Sequence, residues 1–157
     1  MKTAPMKKFI FLLVFAFAPA AVMGAGQAVY GESADARQGI AAALKTARDT
    51  NKTALVVFGA NWCGDCKVLD MEMHRGDLAK LVDDKFVVVK VDVGRFDKNK
   101  DINAQYGEPI KKGIPSVVML RKDGTAFYKT DGGELADARK MGQDGIYRFF
   151  TAMVKEK

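Results

Sequence analysis

Short unbroken runs of apolar residues, many of them β-branched, are the clearest pattern along the chain. Runs of this kind are typical of strands buried in a sheet that helices cover on both sides. Only Lys90 and Asp92 interrupt the second run. The pattern predicts three strands, at 53–59, 86–93 and 116–120.

Apolar residues spaced three or four positions apart predict the helices. Asp35 can cap the first helix, because Gln38 follows three residues later as in a capping box. Asp77 and Asp144 are predicted to cap the third and the last helices. The predicted helices cover 33–50, 66–73, 77–82, a short turn at 102–106, and the chain from Asp144 onwards.

The connections between these elements predict the topology of the sheet. Lys122-Asp123-Gly124 is a hairpin signal, so the strand at 125–130 is expected to return antiparallel to the third strand. Helices separate the first two strands, which are therefore expected to pair in parallel through a crossover. The predicted fold class is α/β, with a central mixed β-sheet flanked by helices on both faces.

The first residues have the layout of a secretory signal peptide: a basic start, an apolar run at 9–18 and then small residues. A membrane anchor is the alternative, although a span needs about 20 apolar residues. Cleavage is expected between Gly24 and Ala28, and Met6 is an alternative initiator. The predicted organisation is a signal peptide at 1–24, a linker at 25–32 and one domain at 33–157.

Composition is consistent with one exported globular domain. The 157 residues are 48% hydrophobic, which is enough for one buried core. Removal of residues 1–24 takes away three lysines and no acid, so the formal net charge falls from +6 to +3. Charges are interspersed without a basic aromatic stripe, which argues against nucleic-acid binding. Signal cleavage predicts a periplasmic protein with no stable membrane anchor, in a compartment where disulfides persist.

Candidate chemistry centres on Trp62-Cys63-Gly64-Asp65-Cys66, which holds the only tryptophan and the only two cysteines. A bridge between these cysteines closes a very small loop and adds little stability, which favours redox chemistry over scaffolding. Cys63 is predicted at a strand-to-helix transition, where unpaired amides and the helix dipole stabilise a thiolate. Cys63 is therefore the predicted attacking nucleophile, and the more buried Cys66 the resolving thiol.

The residues around the two cysteines are expected to modify this chemistry. Trp62 would shield one side of the pair and offer an apolar surface, and Gly64 would let a partner backbone come close. Asp65 would disfavour a nearby thiolate by like-charge repulsion. Its own place at a helix start weakens this effect, and the exposed, screened Lys67 opposes it. The hypothesis is that Asp65 makes the protein a weaker oxidant than a neutral residue or histidine would.

Metal-based alternatives have less support. A zinc site needs about four ligands, but His74 is the only histidine and no second cysteine pair exists. His74 is expected to be a solvated or packed residue at a helix end. Haem attachment requires a histidine where Lys67 stands, and copper handling lacks a supporting His or Met motif. No metal is expected, and no cofactor other than the redox-active Cys63–Cys66 disulfide.

These motifs, together with Gly113-Ile114-Pro115 and the Asp-Gly hairpin, resemble the thioredoxin superfamily over about 33–157. Within it, the chain is similar to exported thioredoxin-like proteins and to the thiol-reductase domain of bacterial disulfide interchange proteins. The resemblance implies a cis Pro115 that faces the cysteines, and an Ile114 backbone that docks substrate chain as an added strand. From the sequence alone, Pro115 is equally compatible with the start of a strand.

One position departs from the family pattern. Members often carry a buried carboxylate six residues before the first cysteine, which helps to move the proton of the resolving thiol; here the residue is Val57. Lys90 matches the lysine that often accompanies this acid. It is expected either to lack its partner or to pack its stem and reach solvent with its amine. Water, Asp65 or an unplaced acid would then take the proton of Cys66.

Two segments look longer than a minimal thioredoxin needs, and both are expected to shape partner choice. They are 94–112 and 132–142. A basic rim, most simply a solvated face, is formed by Lys98, Lys100, Lys111 and Lys112.

The sequence therefore predicts a periplasmic thiol–disulfide oxidoreductase, a reductase or isomerase rather than an oxidase. Its expected partners are protein thiols and disulfides, and an unidentified redox partner protein. The alternative is a non-catalytic binding module that docks a partner beside Pro115 and keeps its cysteines in a closed bridge.

Overall fold

A computed structural model describes residues 28–156 of the chain. The predicted signal peptide, at 1–24, lies outside the described residues. The strands are β1 (Thr53–Gly59), β2 (Phe86–Asp92), β3 (Ser116–Leu120) and β4 (Ala126–Lys129). The helices are α1 (Ala36–Thr50), α2 (Gly64–Met73), α3 (Gly76–Lys85), α4 (Lys100–Gln105) and α5 (Ala138–Met153), with 3₁₀ turns at Pro109–Lys112 and Val154–Glu156.

The four strands form one mixed sheet in the order β2-β1-β3-β4. β1 and β2 are parallel, with Val57 opposite Lys90. β3 is antiparallel to both β1 and β4. The predicted fold class, a mixed sheet with helices on both faces, is therefore confirmed.

Alternate side chains of β1 divide the core between the two faces of the sheet. Val56 and Phe58 belong to a cluster that contains Ile40 of α1. Leu55 and Val57 belong to a second cluster, which α2, α3 and α5 complete. Every residue of β1 is buried, as its unbroken apolar run predicts, because the strand lies inside the sheet with helices on both sides.

β2 is less buried than its sequence predicts. Residues 87–90 are only partly buried, since β2 lies at the edge of the sheet and has one neighbouring strand. Lys90 is among these residues and reaches the protein surface from that edge. An apolar run therefore identifies the strand but not its place in the sheet.

The five predicted helix starts differ from the observed ones by one to six residues. α2 begins at Gly64, two residues before the predicted start, and Cys63 is its N-cap. α3 begins at Gly76 with Arg75 as the N-cap, so Asp77 lies in the first turn and does not cap. α5 begins at Ala138 and breaks at Gly142, where φ 63° and ψ 177° are not helical. The second part of α5 thus starts before Asp144. The capping of α1 by Asp35, which accepts from the Gln38 amide at 3.0 Å, is confirmed.

The chain before α1 does not behave as a free linker where it is described. Tyr30, in the predicted linker, is 1% exposed and belongs to the α1-side cluster. Its backbone N–H donates to Asn61 Oδ1, and Asn61 Nδ2 donates to its carbonyl, both at 2.9 Å. Asn61 thus fastens this segment to the chain that leads into the cysteines. Hydrophobic periodicity could not predict this pairing between the Asn61 side chain and the Tyr30 backbone.

Within residues 28–156, no helix has the length and apolar character that a membrane span requires.

Replacement of Asn61 by alanine is expected to destabilise the fold by about 1–3 kcal/mol, because two part-buried backbone groups of Tyr30 lose their partners. Urea unfolding would measure the loss. Gln143→Ala, at an exposed site in α5, is the control and should change stability little. Equal stability of the two variants would contradict the anchoring role of Asn61.

Candidate active site

The two cysteines lie at the start of α2, just after the loop that follows β1. Cys63 is the N-cap of α2 in an extended conformation, and its Sγ accepts from the Cys66 amide at 3.1 Å. The first amides of a helix have no partners within the helix and carry the positive end of its dipole. They therefore favour negative charge on the Cys63 sulfur. This position supports Cys63 as the nucleophile.

Cys63 and Cys66 form a disulfide with a Cα–Cα distance of 5.2 Å. Cys63 is 5% exposed and Cys66 is 0% exposed. The residue at the helix start is thus slightly exposed, and the residue one turn inside α2 is fully buried. This difference in burial matches the predicted roles of attacking and resolving thiols.

The Ile114–Pro115 peptide bond is cis, as the resemblance implies. The Ile114 carbonyl oxygen lies 3.6 Å from Cys63 Sγ. Buried hydroxyls hold the strand that follows: Ser116 Oγ donates to the Pro109 carbonyl at 2.9 Å and lies 2.6 Å from Thr130 Oγ1. The structure therefore brings together the two motifs that lie about fifty residues apart in the sequence.

Trp62 forms the exposed side of the site. Its side chain is 51% exposed, and its Nε1 donates to the Gly94 carbonyl at 2.7 Å. Its ring meets the exposed Phe96 edge-on at a centroid distance of 5.9 Å. Phe96 is a residue that the sequence motifs missed, although it lies in one of the long segments. Together the two rings provide the apolar surface expected of Trp62 alone.

Asp65 points away from free solvent and has a partner that the sequence did not predict. Its Oδ1 accepts from the Arg139 backbone N–H at 2.9 Å, and its Oδ2 from Arg139 Nη2 at 3.0 Å. These Arg139 hydrogen bonds hold the pKa of Asp65 below its usual range. The carboxylate is therefore charged at neutral pH but neutralised by Arg139, a cation that the sequence did not connect with it.

Arg139 also lies next to Gly64. A β-carbon on Gly64 would meet the Arg139 guanidinium at 3.4 Å. The space over Gly64 is thus bordered by a cation that belongs to this chain. Arg139 comes from the long 132–142 segment, and only the tertiary fold could have placed it beside the cysteines.

The comparisons with known proteins agree with this geometry. Residues 35–122 match a family model described as thioredoxin-like. This chain belongs to the thioredoxin-like family. A disulphide isomerase from Xylella fastidiosa Temecula1 has 46% sequence identity and a TM-score of 0.79, and the match covers 82% of this chain and 98% of that one.

Curated relatives align over shorter stretches. A protein disulfide isomerase-like 2-2 from Oryza sativa is 35% identical over 57% of this chain and 22% of its own length. Thioredoxin-1 of Drosophila yakuba is 36% identical over 46% of this chain and 61% of its own. The matched part of this chain thus covers less than two thirds of the length of each of these two relatives. Together with the Cys63–Cys66 pair, the relatives support protein-disulfide oxidoreductase activity.

In this thioredoxin-like protein, Lys90 pairs with an acid on α2 rather than on β1. Val57 occupies the position of the family carboxylate, but the Lys90 amine forms an ion pair with Asp70 of α2. Lys90 therefore has a partner, which corrects one expectation. Asp70 is one turn beyond Cys66 on the same helix, so an acid is present one turn from the resolving thiol after all.

Other predicted site residues lie outside the thioredoxin-like site or have structural partners. The exposed His74 is the C-cap of α2, and its Nδ1 lies 2.7 Å from the Asp70 carbonyl. Lys98 of the predicted basic rim pairs with the buried Asp92 at 3.0 Å and donates to the Glu32 carbonyl. Across residues 28–156, no group of three or more His, Cys, Asp or Glu side chains is placed to hold a metal ion.

Replacement of Arg139 by alanine is expected to make the Cys63–Cys66 pair more reducing. The unpaired Asp65 charge would then disfavour the Cys63 thiolate, which destabilises the reduced form and lowers the reduction potential. A rise of one unit in the pKa of Cys63 corresponds to about 30 mV. Asp65→Asn should shift the potential in the opposite direction. Equilibration with glutathione would measure both potentials.

Arg148→Ala, at an exposed site of the same helix, is the control for lost surface charge. A shift in this control as large as in Arg139→Ala would mean that the Asp65–Arg139 pair has no specific effect on the potential.

Proposed function

We propose that this chain is an exported thiol–disulfide oxidoreductase that reduces or isomerises protein disulfides in the periplasm. The observation that carries the proposal is the position of Cys63 at the N-terminus of α2, 3.6 Å from the Ile114 carbonyl. A nucleophilic sulfur and a backbone edge for the substrate chain thus share one small region. The relative named a disulphide isomerase supports the choice of substrate class.

In the reduced protein, the Cys63 thiolate attacks one sulfur of a substrate disulfide. The substrate S–S bond breaks, its second sulfur leaves as a thiolate and takes up a proton, and a mixed disulfide forms. Cys66 then loses its proton and attacks Cys63 Sγ. The bond from Cys63 to the substrate breaks, and two electrons have passed from the protein to the substrate.

The surface around Cys63 would select the substrate by shape and polarity. The cis Pro115 orients the Ile114 backbone, which offers hydrogen bonds to an extended segment in the manner of strand addition. Trp62 and Phe96 would receive an apolar side chain next to the substrate cysteine. The substrate is therefore an exposed or partly unfolded disulfide-bearing segment. A separate redox protein would return the Cys63–Cys66 disulfide to the dithiol.

Insulin reduction by purified protein tests the activity. Wild type should reduce insulin in the presence of dithiothreitol, and Cys63→Ser should abolish the protein-dependent rate because no nucleophile remains. Cys66→Ser should instead trap a mixed disulfide, since attack occurs without resolution. Mass spectrometry under non-reducing conditions would detect this adduct.

The alternative, a binding module with a permanently closed bridge, makes a different prediction for the same variants. It requires equal rates in wild type and Cys63→Ser, or no rate in either. It also requires that Cys66→Ser forms no adduct with substrate.

Export is tested by the location and the N-terminus of the protein in a Gram-negative bacterial host. Periplasmic fractionation should recover a shortened chain that begins between residues 25 and 28, as predicted from the small residues before that point. Full-length protein in the membrane fraction would contradict signal cleavage and favour the anchor.

A further inference from the structure

Tyr30 occupies the space beside the resolving cysteine. It is 1% exposed and belongs to the same buried cluster as Cys63 and Cys66. Its backbone is fixed on both sides by the Asn61 amide, at 2.9 Å each. Because Asn61 stands two residues before Cys63, the tyrosine is attached to the loop that carries the nucleophile.

Gly59, the last residue of β1, makes room for the tyrosine hydroxyl next to the sulfur. A β-carbon on Gly59 would overlap the Tyr30 hydroxyl and would lie 3.0 Å from Cys66 Sγ. The hydroxyl and the sulfur therefore border the same small volume, on the side where Gly59 lacks a side chain. Any other residue at position 59 would have to displace one of them.

The surroundings of Tyr30 keep its hydroxyl protonated. Burial raises the pKa of Tyr30, and the nearby carboxylates of Asp70 and Asp92 raise it further. Lys90 pairs with Asp70 and Lys98 pairs with Asp92, so cations offset both acids. The hydroxyl is thus a hydrogen-bond donor, and not a base, over the whole range in which a thiol titrates.

We propose that the Tyr30 hydroxyl donates a hydrogen bond to the Cys66 sulfur and stabilises its thiolate during resolution of the mixed disulfide. The proposal rests on the proposed oxidoreductase function and assigns a further catalytic residue to it. A sulfur fully removed from water has no solvent to stabilise its negative charge, and a donor at this place provides what water would.

The resolving step then proceeds with each atom accounted for. The Cys66 thiol gives up its proton, and Tyr30 keeps its own while its O–H points at the thiolate. The thiolate attacks Cys63 Sγ, the disulfide between Cys66 and Cys63 forms, and the bond from Cys63 to the substrate breaks. The departing substrate sulfur takes up one proton, so the step releases no net proton.

The test is the pKa of the Cys66 thiol in the fully reduced protein, read from its ¹³Cβ chemical shift. Tyr30→Phe keeps the ring and removes only the hydroxyl. The pKa of Cys66 should rise by about one unit, since hydrogen bonds to charged groups are stronger than neutral ones. Resolution of a preformed mixed disulfide should slow about threefold at neutral pH, because a smaller thiolate fraction is partly offset by a more nucleophilic thiolate.

Tyr106→Phe is the matched control, because Tyr106 is buried in the same cluster but follows α4, remote in sequence from the cysteines. An unchanged Cys66 pKa in Tyr30→Phe, or an equal rise in both variants, would overturn the proposal. Unfolding midpoints of both variants would show that each is folded. Failure of the proposed function would appear separately, as absent insulin reduction by wild type, because the thiol titration needs no substrate.

Discussion

The partnerless amides at the start of α2 are the interaction on which the site depends. β1 ends at Gly59 and α2 begins at Gly64, so a short loop joins them and leaves Cys63 at the N-terminus of the helix. Its sulfur accepts the Cys66 amide at 3.1 Å. A thiolate gains most from this arrangement because it satisfies donors that would otherwise face an apolar core. The strand, the helix and the buried clusters all serve to hold that junction in place.

Three carboxylates lie near the cysteines, and each one has a cation from another part of the fold. Asp65 pairs with Arg139, Asp70 with Lys90, and Asp92 with Lys98. Unpaired, these acids would oppose a thiolate by repulsion. Their pairing leaves the helix terminus as the dominant local field. Each cation comes from a different segment, so the electrostatics of the site belong to the tertiary structure.

The sequence was sufficient for the sheet and the cysteine pair, because local patterns encode them. The cis Pro115 followed only from the resemblance to the thioredoxin superfamily. Apolar runs mark strands wherever they lie, and Cys-Gly-Asp-Cys is contiguous. Arg139 and Phe96 could not be predicted, since neither has a local signal that connects it to residues far along the chain. Asp70 was missed because the acid that accompanies Lys90 was expected on β1, at the position of Val57. The structure supplies this acid from α2 instead. Gly142 was read as part of a connection, whereas it interrupts α5.

The pair of hydrogen bonds between Asn61 and Tyr30 bears on where this domain begins. The family match starts at residue 35, but the buried core already includes Tyr30. A recombinant fragment that starts at residue 35 and keeps the C-terminal part would keep every described strand and both cysteines, yet open the α1-side core to water beside Cys66. The folded domain therefore begins at or before Tyr30, whereas the family match begins at residue 35.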